Sequence, residues 1–348
     1  MTNTQKTLVI PLILIGSMFG VLGFALGINA FFIPFVQKAF NISITMSYLV
    51  MTATFASFVV FGIPSGYIIK KTGYKGGMII AFLIMAIGFF LVAPAAKLIS
   101  FPLFLLALFV SGMGQTLLTG AVNTYVSILG PEESAAARIA GMGICSKTFY
   151  AAASLLLSLF MDLTNVRIED TILPFYLIAG ALVVMGVLYY FAPLPEIKAA
   201  GEDESDTTSQ ASAYANTKTS IFQFPHLLLG VVAIFFDVGV EYIALGSIND
   251  YATILNLSSP QNYVWLVSGG MIIGYLLGVF FIPKYITQRT ALLISTFVAV
   301  VVTIAIMTFP AGISIYLVGV LGLANAMMWP AIWPMAIADL GKFTKLGY

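Results

Sequence analysis

Three ionisable side chains in this sequence stand where such groups are least expected. Lys147, Asp237 and Glu241 each lie within a long apolar run. Holding a charge at bilayer depth costs at least ~2.5–3.5 kcal/mol, so each is a functional candidate by default. Asp237 and Glu241 are four residues apart, which on a helix puts both carboxylates on one face, about 6 Å apart. Lys147 and Asp237 each fall roughly 14–16 Å in from the same side of the membrane. The three can therefore meet near mid-membrane, with Lys147 paired to Asp237 or to Glu241. Such a group is either a static buried ion pair or a site at which a carboxylate meets substrate or a coupling cation.

The remaining polar groups inside apolar runs are mostly amides: Asn29, Gln115, Asn123 and Asn325, with Thr119 among them. A single amide in a span serves as glue between helices or as a ligand contact. Trp329 and Trp333 follow Asn325 at a spacing that stacks them on one helix face. An aromatic face beside an amide suits a sugar, whose C–H face stacks while its hydroxyls take hydrogen bonds; packing explains the same pattern. Asn29, Gln115, Asn123, Asn325 and Trp329 are the substrate-binding candidates. Enzyme chemistry has little to work with. His226 is the single histidine and Cys145 the single cysteine, and there is no G-x-S-x-G, H-E-x-x-H or P-loop pattern. No disulfide, metal site or resident cofactor is expected.

The elements that must position these residues follow from composition. Of 348 residues, 60% are apolar and 8% charged, with a mean hydropathy of +1.03. Soluble domains carry about 25% charged residues, so this is an all-α polytopic membrane protein. A net charge of +1 gives no reason to expect nucleic acid. Apolar windows fall at 8–34, 46–69, 76–95, 101–128, 138–160, 172–192, 226–248, 262–282, 290–309 and 313–338, which predicts ten spans. With the N-terminus inside, eleven of the fifteen Lys and Arg are cytoplasmic: Lys6, Lys70, Lys71, Lys75, Arg138, Lys198, Lys218, Lys284, Arg289, Lys342 and Lys345. Lys38, Lys97 and Arg167 fall outside. That bias places the N-terminus in the cytoplasm.

An acidic, Ser/Thr-rich stretch over 196–222, including GEDESDTTSQ, reads as a flexible cytoplasmic linker. It divides the chain into an N-terminal six-span half, 1–195, and a C-terminal part, 223–348, with four spans. The parts echo each other. Gly62-x-x-x-Gly66 ends span two and Gly274-x-x-x-Gly278 lies in span eight, each followed by basic residues. Gly112, Gly114 and Asn123 of span four match Gly319, Gly322 and Asn325 of span ten. Matching order suggests a duplicated half. Spans three, six and nine carry almost nothing polar, as lipid-facing peripheral helices would.

These motifs resemble the major facilitator superfamily, in particular its fucose permease and glucose/galactose transporter branch. The matching stretches include INAFFIPFVQKAFNIS, GIPSGYIIKKTGYKGG, NTYVSILGP, FDVGVEYIALGS and NAMMWPAIWPMAIADLGKFTKLG. The second of these holds the conformational loop of the family, here Gly66, Lys70, Lys71, Gly73 and Lys75, with Lys70 where an Asp is usual. The resemblance implies two pseudo-symmetric six-helix halves, the second incomplete here, and a fragment or truncated product ending before spans eleven and twelve. It implies alternating access, and uptake of a monosaccharide coupled to H+ or Na+ by a monomer in a bacterial inner membrane. The fucose pattern has an Asp where this sequence has Ala30 and a Glu where it has Thr119. Glu241 matches the span-seven acid of the glucose/galactose type, so coupling is expected at Asp237 and Glu241. The alternatives are a carrier of another small polar solute, or a transport-inactive sensor or assembly subunit.

Overall fold

The structure is a computed structural model that describes residues 9–159, 167–199, 202 and 210–346. Among these the chain is helical, with no strand. The long helices are α1 (Val9–Ala39), α2 (Leu49–Lys97), α3 (Phe101–Ile128), α4 (Ala135–Ser158) and α5 (Ile172–Phe191). After the linker come α6 (Pro225–Ile254), α7 (Val264–Phe281), α8 (Gln288–Thr308), α9 (Ala311–Asn325) and α10 (Met328–Ile337). Eight helical segments among the described residues are long and apolar enough to cross a membrane. The count differs from the ten expected spans because α2, which turns back at Gly73, is a single segment here and the less apolar α4, 24 residues long, is not among the eight.

Two local devices shape this arrangement. Within α2, Gly73 takes φ 74° and ψ 175°, a region open essentially to glycine alone. The chain reverses there: a Cβ built on Gly77 would meet Ile69 at 2.9 Å, although eight residues of straight helix span about 12 Å. The second device lies in span ten, expected over 313–338, where Pro330 is one of the in-span prolines at which a helix break is tolerated. The span breaks at Ala326–Met327, between α9 and α10. Pro330 explains the break, since it lacks the N–H that Ala326 C=O would accept and its ring crowds that carbonyl.

Close packing rests on small residues. Gly16, Gly20, Gly23 and Gly27 form a stripe along α1 that lies on α4, against Cys145, Phe149, Ser146 and Tyr150 in turn. Gly274 and Gly278 of α7 lie on Leu323, Ala326 and Met327. Gly62, expected to pack in the same way, has nothing within 4 Å of a built Cβ, and Gly66 instead meets the backbone of Lys345 and Leu346. The matched glycine pairs therefore do different work. Arg138 turns inward, donating from Nε to Val126 O at 2.9 Å and from Nη2 to Ser127 O at 2.7 Å. It satisfies carbonyls that the end of α3 leaves without intrahelical donors.

The expectation of peripheral helices holds in part. α5 and α8 expose long apolar faces, including Val184, Leu188, Leu293, Phe297 and Ile304. The second arm of α2 is packed more fully and exposes a stripe at Leu83, Ile87 and Phe90. The stretch 196–222 is also less free than predicted. Its acidic residues 203–209 lie outside the described residues, but Gln210–Asn216 is helical, Ala215 and Phe224 are buried, and Glu196 and Glu202 are docked.

Candidate functional site

α4 and α6 bring Lys147 to Glu241. The Lys147 ammonium donates to Glu241 Oε1 in an ion pair whose side chains are 6% and 7% exposed. The ammonium lies 5.0 Å from the ring centre of Tyr242 and 5.9 Å from that of Tyr150. Tyr275 of α7, set against the backbone of Gly143, stands within electrostatic range of Lys147, Glu241 and Asp237. The rings of Tyr242 and Tyr150 thus help to replace the water that the ammonium gives up. The sequence left Lys147 two partners, and the structure chooses Glu241.

Asp237 sits one turn nearer the start of α6. It is 6% exposed, and neither carboxylate oxygen has a hydrogen-bond partner in the protein. It interacts electrostatically with Glu241 and with Lys147.

The amides fall into separate groups. Asn29 donates to Thr54 Oγ1 at 2.8 Å and Gln115 to Ser111 Oγ at 3.2 Å, and the carbonyl oxygen of each lacks a partner. Asn325, at the helix break, has no partner for either amide atom. Asn123 donates to Thr119 O at 2.9 Å and accepts from Trp329 Nε1 at 3.0 Å. Trp329 stacks on Trp333 with centroids 5.2 Å apart, and the Trp333 N–H is buried without a partner. The Trp329 N–H is taken by Asn123 Oδ1, and the Asn123 amide N–H by Thr119 O. Asn29 and Thr54 lie level with Gly112, roughly 16 Å along α3 from Asn123. One sugar ring cannot touch all five candidates together.

The conformational loop also divides. Gly66 and Gly73 sit at close contacts, and Lys75 Nζ donates to Ala192 O at 2.7 Å. Lys70 and Lys71 are exposed, so the structure does not draw them into that contact. Glu196 accepts from Tyr74 N at 2.9 Å and holds the start of the second arm of α2. Lys345 pairs with Glu202 at 2.7 Å and lies over the Tyr74 ring. At the opposite end, Tyr48 donates to Asp250 Oδ2 at 2.6 Å, joining α2 to α6. Sequence reasoning missed Asp250 and the tyrosine rings. Tyr150 carried a signal, being three residues from Lys147 and so on its face; Asp250 carried none.

The sequence pattern described as Major Facilitator Superfamily matches residues 14–344. The glucose/galactose transporter of Brucella abortus biovar 1 (strain 9-941) is 30% identical over 359 residues, covering 99% of this chain and 84% of the relative. The L-fucose-proton symporter of Escherichia coli (strain K12) is 23% identical over 372 residues, covering 99% and 83%. The crystal structure of a superfamily transporter, FucP, in the outward conformation superposes with a TM-score of 0.78 at 23% identity, covering 98% of this chain and 87% of that one.

Proposed function

This chain belongs to the Major Facilitator Superfamily, and from that premise we propose that it carries a monosaccharide across a bacterial inner membrane by alternating access. The substrate is a hexose of the glucose, galactose or fucose kind, moved by rocking of the two helical halves and coupled to a proton or a sodium ion. The N-terminus faces the cytoplasm, by the excess of basic residues on that side.

The observation that carries this reading is the break between α9 and α10. Broken helices at mid-membrane are where carriers of this type expose backbone and side-chain polar groups to substrate. Asn325 ends α9 with both amide atoms unpartnered, and the stacked Trp329 and Trp333 follow at once. An amide offering one donor and one acceptor beside an aromatic face matches a sugar hydroxyl pair above a C–H face. Gln115 adds a further acceptor. Similarity to a glucose/galactose transporter over nearly the whole chain supports the substrate class. The pair of contacts at opposite ends, Tyr48 with Asp250 and Gly66 with Leu346, supports two gates.

Radiolabelled counterflow in proteoliposomes tests the reading without an ion gradient. Uptake of glucose, galactose or fucose that excess unlabelled sugar abolishes is expected. Silence across hexoses and pentoses would remove the sugar assignment and favour another small polar solute.

A further inference from the structure

We propose that Asp237 is the binding site for a monovalent cation and that Lys147 is that cation's tethered competitor, kept off the site by Glu241. The inference rests on reading the chain as a coupled carrier and adds which carboxylate takes the cation and what controls it.

Two carboxylates and one ammonium leave one negative charge in a buried cluster. Lys147 and Glu241 cancel each other in direct contact. The remainder falls on Asp237, which is as buried as Glu241 and has no partner on either oxygen. An isolated buried carboxylate is costly, and a bound cation, proton or sodium ion, removes that cost. Glu241 is excluded as the site because its charge is already met.

Competition follows from the spacing. Asp237 and Glu241 are one turn apart on the same face of α6, and Lys147 reaches them from α4 on a long flexible stem. The other groups facing the cluster are tyrosines: Tyr150 from α4, Tyr242 from α6 and Tyr275 from α7. None of them supplies a second positive charge. If Glu241 loses its charge, the ammonium has one carboxylate left within reach, and that carboxylate is Asp237.

This predicts a reversal that a merely structural ion pair does not give. The purified chain is assayed for equilibrium binding of radioactive sodium at fixed ionic strength, with choline as the replacement ion. In a parallel arm, protons taken up after an acid pulse are counted with a pH dye. Binding in the sodium arm identifies sodium, and uptake in the proton arm alone identifies a proton. In either arm Asp237→Asn loses the signal. Glu241→Gln also loses it, because Lys147 moves onto Asp237. The double variant Lys147→Met with Glu241→Gln regains it, because the competitor is gone. Replacing both members of a buried pair is often neutral for stability, so this variant is expected to fold. If Glu241→Gln alone does not fold, Asp237→Asn against the double variant decides the matter. An unchanged signal in Asp237→Asn, a folded double variant without signal, or no signal in either wild-type arm would overturn the proposal. The assay contains no sugar, so its failure is distinct from failure of counterflow.

Discussion

Trp329 and Asn123 are 206 residues apart in the chain and joined by one hydrogen bond. Trp329→Phe keeps the ring on Trp333 and removes the N–H, leaving Asn123 Oδ1 buried without a donor. Stranding a buried acceptor costs about 1–3 kcal/mol, charged to the arrangement in which the two halves touch here. A cysteine at Thr119, in a Cys145→Ala background, should then react faster with a water-soluble maleimide, by roughly 5- to 150-fold. Adding Asn123→Leu removes the stranded acceptor and should return most of the rate; no return would mean the bond does not hold that closure. At this scale the sequence was informative where charge met apolar surroundings. Lys147, Asp237 and Glu241 announce themselves because burying them is expensive. Which carboxylate meets Lys147 depends on the rotation of α6 about its axis and its height against α4, and neither is written in a spacing. The Trp329–Asn123 pairing was hidden for the same reason, and each was read as open to a ligand.

Among the helices, fit decides more than motif. Gly62 and Gly88 both lie in α2 and look alike in sequence. A Cβ on Gly88 would fall 2.6 Å from Ser111 Cβ and closer still to Ser111 backbone, whereas one on Gly62 meets nothing within 4 Å. Gly88→Ala should therefore lower the thermal midpoint in detergent, at a cost of about 1–3 kcal/mol from overpacking. Gly62→Ala should be neutral or slightly stabilising, since alanine is the better helix former. Equal effects in the two variants would contradict the packing described. The ten apolar windows were legible because a crossing needs about 20 apolar residues. The break in span ten was legible in kind, because Pro330 marks a helix that can open, but its position at Ala326–Met327 was not, since a proline frees the carbonyl four residues upstream of itself.

Across the whole molecule, the span order predicts that eleven of the fifteen Lys and Arg share one side of the membrane. Leu98→Cys and Lys71→Cys, each in the Cys145→Ala background, mark opposite ends, and both positions are exposed. A membrane-impermeant maleimide added to intact cells should modify Leu98→Cys and spare Lys71→Cys. The opposite pattern would invert the topology. The depth of Asp237 also has an electrical meaning. It lies twelve residues into α6, ~18 Å along the helix, against a hydrocarbon thickness of about 30 Å. A cation that reaches it from the far side has crossed roughly half of the transmembrane field. At 2.3 kcal/mol per charge per 100 mV, half the field is worth about 1.2 kcal/mol. That is about a sevenfold change in occupancy. The cell's own voltage would therefore help to load the site, and a capacitive current on adding the cation would report its arrival before any sugar moves.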